Sequence, residues 1–269
     1  PVMTSTNEDR PESTDAQPLR HALRGVRAAF IFLTRVPVGG FPYQTVEWQW
    51  ANAHFPLVGA FLGACSGLVY WCACDFDATF AAVLAVATSI WMTGAFHEDG
   101  LADSADALGG GIDDKPRVLE ILKDSRIGTY GTAGFVMVLL ARVALLSKLA
   151  ALPGLLALVS AHSLARVPPI WIKTFLPYAS EGPLAKSRDL ESSSSVQVVV
   201  ATAWGLLFGV LFVPSVTTLI WIALALAILG RFLAWRFDRR VGGYTGDFLG
   251  ATEQLGEVVV LLAFAISLR

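Results

Sequence analysis

Val196–Gly230 reads VQVVVATAWGLLFGVLFVPSVTTLIWIALALAILG, thirty-five residues without a charge, divided at Val213-Pro214-Ser215. A helix crossing the hydrocarbon of a bilayer needs about 20 mostly apolar residues, and each side of that break comes close. The same pattern recurs outward along the chain. Phe55–Cys74 and Ala78–Phe96 carry no charge; Gly131–Ala150 carries only Arg142 and Lys148, Leu152–Val167 only Arg166, and Gln254–Leu268 only Glu257. The chain is 54% hydrophobic and 16% charged, against roughly 25% charged in soluble domains. A soluble core can hide one such helix, but not seven in 269 residues. The sequence therefore predicts an all-α, polytopic transmembrane bundle of about seven spans whose surrounding medium is the lipid bilayer.

Charge placement predicts the orientation. The windows pair into hairpins whose turns, Asp75–Asp77, Ala151–Pro153 and Val213–Ser215, contain no Lys or Arg. Arg20, Arg24, Arg27 and Arg35 precede the first hairpin, and Lys115, Arg117, Lys123 and Arg126 follow it. Lys173, Lys186 and Arg188 follow the second, and Arg231, Arg236, Arg239 and Arg240 the third. The positive-inside rule makes that side cytoplasmic, so the expected location is the cytoplasmic (inner) membrane, with the last span carrying the C-terminus out. Residues 1–20, PVMTSTNEDRPESTDAQPLR, are too polar to build a core and are expected to form a disordered tail with no cleavable signal. Residues 21–269 are expected to form one transmembrane catalytic domain, opening with an amphipathic interfacial helix over Arg20–Thr34. Cys65, Cys72 and Cys74 are expected to pack as small buried hydrophobes.

The longest polar stretch between spans opens with HEDGLADSADALGGGIDD, from His97. If the second span runs on as a helix, Asp99, Asp103 and Asp106 follow i, i+4, i+7 and fall within an arc of roughly 60°. Like charges so placed weaken a helix, and a divalent cation is the simplest way to offset the repulsion. Glu98 points elsewhere on the helix, where it would support the ligands from behind or bind a second metal. The donors are hard carboxylate oxygens, which favour Mg²⁺ or Mn²⁺ over zinc. His97 is expected to support the aspartates and not to ligate. A solvated acidic loop is the plain alternative, but the acids begin where an uncharged span ends and line one stripe.

Two further segments are suited to phosphate. LKDSRIGTYG (Leu122–Gly131) offers the guanidinium of Arg126, the ammonium of Lys123, Thr129, and two glycines, Gly128 and Gly131, that allow close backbone approach. RRVGGYTGDFLGATEQLGE (Arg239–Glu257) places Gly242, Gly243, Thr245 and Gly246 in a loop before the last span, with Asp247, Gln254 and Glu257 then sharing a helical face. A carboxylate within a span is costly and usually faces a polar partner, so this face is expected to complete the aspartate site. Arg35 either reaches the same cavity or marks the inside face.

These segments together resemble the cobalamin synthase (adenosylcobinamide-GDP ribazoletransferase) family. The resemblance runs from about Arg24 to the C-terminus. It rests on FLTRVP (Phe32–Pro37), FPLVG (Phe55–Gly59), HEDGLADSADALGGG (His97–Gly111), LKDSRIGTYG (Leu122–Gly131) and GGYTGDFLGATEQLGE (Gly242–Glu257), in that order in one multi-span chain. It implies that a hydroxyl of α-ribazole, or of its 5′-phosphate, attacks the corrinoid-linked phosphorus of adenosylcobinamide-GDP and that GMP leaves. It also implies Mg²⁺ as cofactor, other enzymes of nucleotide-loop assembly as partners, and no nucleic acid. Under this reading Glu98, Asp99, Asp103 and Asp106 hold the metal. Arg126 and Lys123 hold phosphate with Arg35, Thr129, Gly243 and Thr245, and Asp106 or Asp247 accepts the proton. The acidic stripe is also loosely similar to that of the CDP-alcohol phosphotransferases, but Asp99-Gly100-Leu101-Ala102 runs into Asp103 where that family has Arg. A lipid phosphotransferase and a membrane transporter remain the alternatives.

Overall fold

The computed structural model describes residues 16–39, 45–110, 114–179 and 194–268. The helices are α1 (Ala16–Leu33), α2 (Thr45–Ala73), α3 (Ala78–Thr93), α4 (Phe96–Gly110), α5 (Lys115–Ile121), α6 (Thr129–Leu146), α7 (Ala151–Leu164), α8 (Val167–Phe175), α9 (Ser195–Phe212), α10 (Val216–Val241) and α11 (Gly246–Ser267). Strand-like pairing among the described residues is limited to one bridge, Tyr178 with Tyr244. Six segments are long and apolar enough to span: α2, α6, α7 with α8, α9, α10 and α11; α3 would add a seventh only if counted together with α4, from which it is bent by 92°. This is an integral membrane protein. Apolar side chains point outward from α9 and α10, such as Val199, Val210, Ile220 and Ile228, where acyl chains take the place that water has around a soluble protein.

The sequence reading is corrected at several points. The second span does not continue as one helix into the acidic stretch. It stops at Thr93; Gly94 (φ 70°) and Ala95 (φ 61°) both take left-handed backbone, and α4 leaves at 92° to α3. A left-handed residue is the common way to end a helix, and two in a row redirect the chain. The acids therefore ride on a helix of their own, which we read as lying outside the spanning segments. The turn placed at Ala151–Pro153 lies one step earlier, between Leu146 and Ala151, because Pro153 sits in the first turn of α7, where a proline needs no N–H partner. Cys72 is exposed, and Cys65 and Cys74 are half-buried; on a spanning helix an apolar residue can face lipid as readily as the core. Helix α1 already includes residues 16–20, assigned above to the tail. Residues 1–15, and with them most of the expected tail, lie outside the described residues, as do residues 111–113, Lys186 and Arg188.

Close helix packing replaces the hydrophobic drive that lipid removes. Gly59, Gly63 and Gly67 recur every fourth residue on α2 and lie against the backbone of α7. A Cβ at Gly59 would strike the His162 carbonyl and one at Gly63 the Leu158 carbonyl, while at Gly67 it would stand 3.1 Å from Leu155 Cα. At the far end, Tyr70 of α2 donates its hydroxyl to the carbonyls of Leu146 (2.8 Å) and Leu149 (2.6 Å), satisfying acceptors left over where α6 ends. Helix α11 is the central element, packed on α4, α6, α7, α8 and α10.

Replacing Gly63 by Leu should lower the unfolding temperature of the detergent-purified protein by several degrees or abolish folding, since overpacking typically costs about 1–3 kcal/mol. Gly246→Ala, at a position with nothing within 4 Å of the added carbon, should leave the temperature unchanged in the same thermal-shift experiment.

Candidate active site

On α4, Asp99 is exposed and Asp103 and Asp106 are half-buried, whereas Glu98 is 4% exposed and points into the bundle. Helix α11 crosses this face at two glycines. A Cβ on Gly100 would lie 2.9 Å from the Asp247 carbonyl oxygen and 3.0 Å from its Cα; one on Gly250 would lie 3.2 Å from the His97 carbonyl oxygen. With hydrogen in place of side chains at the crossing, Asp247, in the first turn of α11, comes up beside the stripe. Thr245 caps that helix by accepting from the Phe248 N–H (3.4 Å). Gly243 lets the preceding loop pass against Pro177, whose carbonyl accepts from Tyr244 N (2.9 Å).

Each aspartate has distinct surroundings. Asp106 accepts from Gly128 N (2.6 Å) and Gly131 N (2.8 Å), so it caps the start of α6 from another helix, where bare N–H groups and the helix dipole favour an anion. A Cβ at Gly131 would collide with that carboxylate. By contrast, no hydrogen bond or ion pair among the described residues reaches Asp99 or Asp103. Burial, followed by the charges of Asp99, Asp247, Asp106 and Asp124, pushes Asp103 up to about 6. Arg126 is exposed and forks onto Asp124, with Nη2–Oδ2 at 2.7 Å and Nε–Oδ1 at 3.0 Å, and these bonds hold Asp124 down to about 2. Lys123 on the same loop and Thr129 at the start of α6 are exposed. Arg35 sits at the α3–α4 bend: its N–H bonds the Met92 carbonyl (2.8 Å) and its guanidinium lies over Gly94.

Hard oxygen donors with uncancelled negative charge suit Mg²⁺. The stripe's carboxylates do not close into a cage, however. Among the described residues the one trio of possible ligand atoms within 4.8 Å of one another is His162, Glu253 and Glu257. An ion on the stripe would have to complete its shell with water or substrate oxygens, as Mg²⁺ commonly does.

That trio belongs to a buried ionic cluster the sequence reading did not assemble. Arg142 of α6 donates to Gln254 Oε1 (2.9 Å) and Ser89 Oγ (3.2 Å), and pairs with Glu257 (2.6 Å) and Glu98 (3.4 Å). Arg166, just beyond α7, pairs with Glu253 (2.8 Å), and His162 Nδ1 lies 2.5 Å from Glu257. Gln254 donates to Glu98 (3.2 Å) and Glu253 (3.0 Å). All these charged groups are at most 4% exposed. Three carboxylates meet two guanidinium groups, with His162 set beside Glu257. Gln254 and Glu257 thus do not sit in the aspartate site; they lie deeper on the same helix and tie Glu98 in from behind.

Residues 25–265 match the cobalamin-5-phosphate synthase family. The chain is 40% identical to the adenosylcobinamide-GDP ribazoletransferase of Leptothrix cholodnii over 261 residues, covering 91% of this chain and 96% of that protein. It is 40% identical to the protein of that name from Vibrio parahaemolyticus (91% and 92% covered) and 37% identical to that from Shewanella piezotolerans (93% and 98% covered). No solved structure matches the chain.

The buried cluster carries a direct test. Arg142→Met should destabilise the protein by about 3–5 kcal/mol, because it strands buried carboxylates without their partner. Adding Glu257→Gln to Arg142→Met should recover part of that loss. Denaturant unfolding in mixed micelles, followed by circular dichroism, measures both.

Proposed function

The chain belongs to the cobalamin-5-phosphate synthase family, and on that premise we propose how its acidic site works as an adenosylcobinamide-GDP ribazoletransferase. A hydroxyl of α-ribazole, or of its 5′-phosphate, forms a bond to the corrinoid-linked phosphorus of adenosylcobinamide-GDP. The bond from that phosphorus to the bridging pyrophosphate oxygen breaks, and GMP departs with that oxygen. The product is adenosylcobalamin or its 5′-phosphate. The observation that carries this reading is the pair of carboxylates, Asp99 and Asp103, that no neighbouring donor satisfies, set beside Asp247 at the glycine crossing of α4 and α11.

Asp99 and Asp103 are the residues that would hold Mg²⁺, with water completing the set. When bound, Mg²⁺ neutralises the oxygens flanking the scissile bond. Asp106 has both oxygens engaged by the amides of Gly128 and Gly131, which makes it the residue that fixes α6 against the site. The proton of the attacking hydroxyl therefore goes to Asp247, the acid of the two that is not bonded to α6. Glu98 is drawn away into the Arg142 cluster and supports α4 from behind. Arg126 and Lys123 stand exposed on the α5–α6 loop to receive the guanylate phosphates, Arg126 exchanging Asp124 for the substrate. The basic residues clustered on this side support a location at the cytoplasmic face of the inner membrane. The enzymes that make the activated corrinoid and the ribazole are its expected partners. Family membership favours this chemistry over lipid phosphotransfer or transport.

The test is GMP release from adenosylcobinamide-GDP and α-ribazole 5′-phosphate by detergent-purified protein, with Mg²⁺ or with EDTA. Turnover should need the metal, and Asp103→Asn should lower it by at least about 10²-fold. Full activity in folded Asp103→Asn protein would sink the assignment.

A further inference from the structure

Behind the acidic stripe, a narrow cleft runs between α1, α2, α4, α8 and α11. Its walls are mostly ring and aliphatic carbon. Phe32 of α1 stacks on Phe55 of α2 (centroids 5.5 Å, planes 6° apart) and meets the edge of Phe96 of α4 (5.3 Å, 80°). Leu249 of α11 lines the cleft from the other side. Phe96 remains 45% exposed although it opens the helix that carries the acids. The charged groups on the wall are Arg166 and Glu253, which pair with each other (2.8 Å), and Lys173, whose Nζ donates to Asn52 Oδ1 (3.0 Å). The lining includes Gly246 and His97, each adjacent to an acid, Asp247 in one case and Glu98 in the other. A ligand held here by its flat end would present its other end to the site.

We infer that this cleft seats the aromatic base of the acceptor, an assignment that rests on the ribazoletransferase reading. Two bases take part in the reaction, guanine in the donor and a benzimidazole in the acceptor. Guanine carries a carbonyl, a ring N–H and an amino group on its edge, and each would lose its water against these carbon walls without a replacement. The benzimidazole of α-ribazole presents methyl groups there, so its desolvation is favourable. Aromatic walls also supply stacking for a flat heterocycle, while Lys173 puts a positive charge on the wall for a 5′-phosphate. Size fixes how far the base enters. The cleft encloses about 90 Å³, less than the ~150 Å³ apolar cavity that accepts benzene. The methylated edge goes in, and the ribose stays at the mouth beside Gly246 and Asp247.

The experiment compares two variants with wild type. Leu249→Trp fills the cleft, and Phe96→Ala removes a wall. Their folding is checked by gel filtration and thermal unfolding. KM is measured for α-ribazole 5′-phosphate at saturating adenosylcobinamide-GDP, and then with the roles reversed. Both variants should raise the acceptor KM, Leu249→Trp by at least about tenfold and Phe96→Ala by about fivefold, the loss of one stacked ring. The donor KM should stay within about twofold. A rise confined to the donor KM would assign the cleft to guanine and overturn the inference, and so would two folded variants with neither KM changed. Calorimetric binding of α-ribazole 5′-phosphate to the same proteins separates this inference from the reaction itself. Wild-type binding weakened in Leu249→Trp upholds the cleft even if turnover fails, whereas equal binding in both rejects it.

Discussion

The architecture depends on the rule that a charge inside a spanning bundle must find its counter-charge on another helix. Taken out of bulk water, a lone buried ion is far costlier than a paired one. Glu257 sits between Arg142 and His162, Glu253 faces Arg166, and Glu98 is reached by Arg142 and Gln254. These contacts tie α4, α6, α7 and α11 into one block. They also orient the reactive surface. With Glu98 pinned inward, a helix advancing 100° per residue carries Asp99, Asp103 and Asp106 to positions about 80–140° away. The outward stripe is thus the opposite face of an inward anchor, and the two cannot be set independently.

A second rule is that small residues allow the polar groups to meet. Gly100 and Gly250 bring α4 and α11 within backbone contact, Gly131 makes room for the Asp106 carboxylate, and Gly59 and Gly63 seat α7, which carries His162, against α2. In lipid such contacts provide packing that apolar side chains alone would not, because acyl tails offer those side chains an equally good environment.

Much of this was legible in the sequence, for identifiable reasons. Uncharged windows such as Val196–Gly230 announce spans because length and apolarity are all that crossing requires. The order of five short segments pointed to the family that the comparison with known proteins identifies. The acidic stripe could be read from spacing alone, since i, i+4, i+7 is a local property. What depends on tertiary contact could not. The 92° break after Thr93 arises from two left-handed residues, one of them an alanine that gives no warning. Asp106 looked like its two neighbours until the amides of Gly128 and Gly131, more than twenty residues on, took both its oxygens. Arg142 and Arg166 stood out as charges within apolar windows. Their partners Glu253 and Glu257 lie about a hundred residues away, however, and nothing local names them.

Helix α3 has 16 residues, which at 1.5 Å per residue is about 24 Å, against a hydrocarbon layer of roughly 30 Å. Such hydrophobic mismatch is relieved by local thinning of the bilayer or by flanking groups that reach toward the headgroups. Since α3 ends at the bend into α4, the membrane should dimple beside the aspartates, setting them below the surrounding headgroup plane. Acids in such a hollow stay wet while the bilayer rises around them.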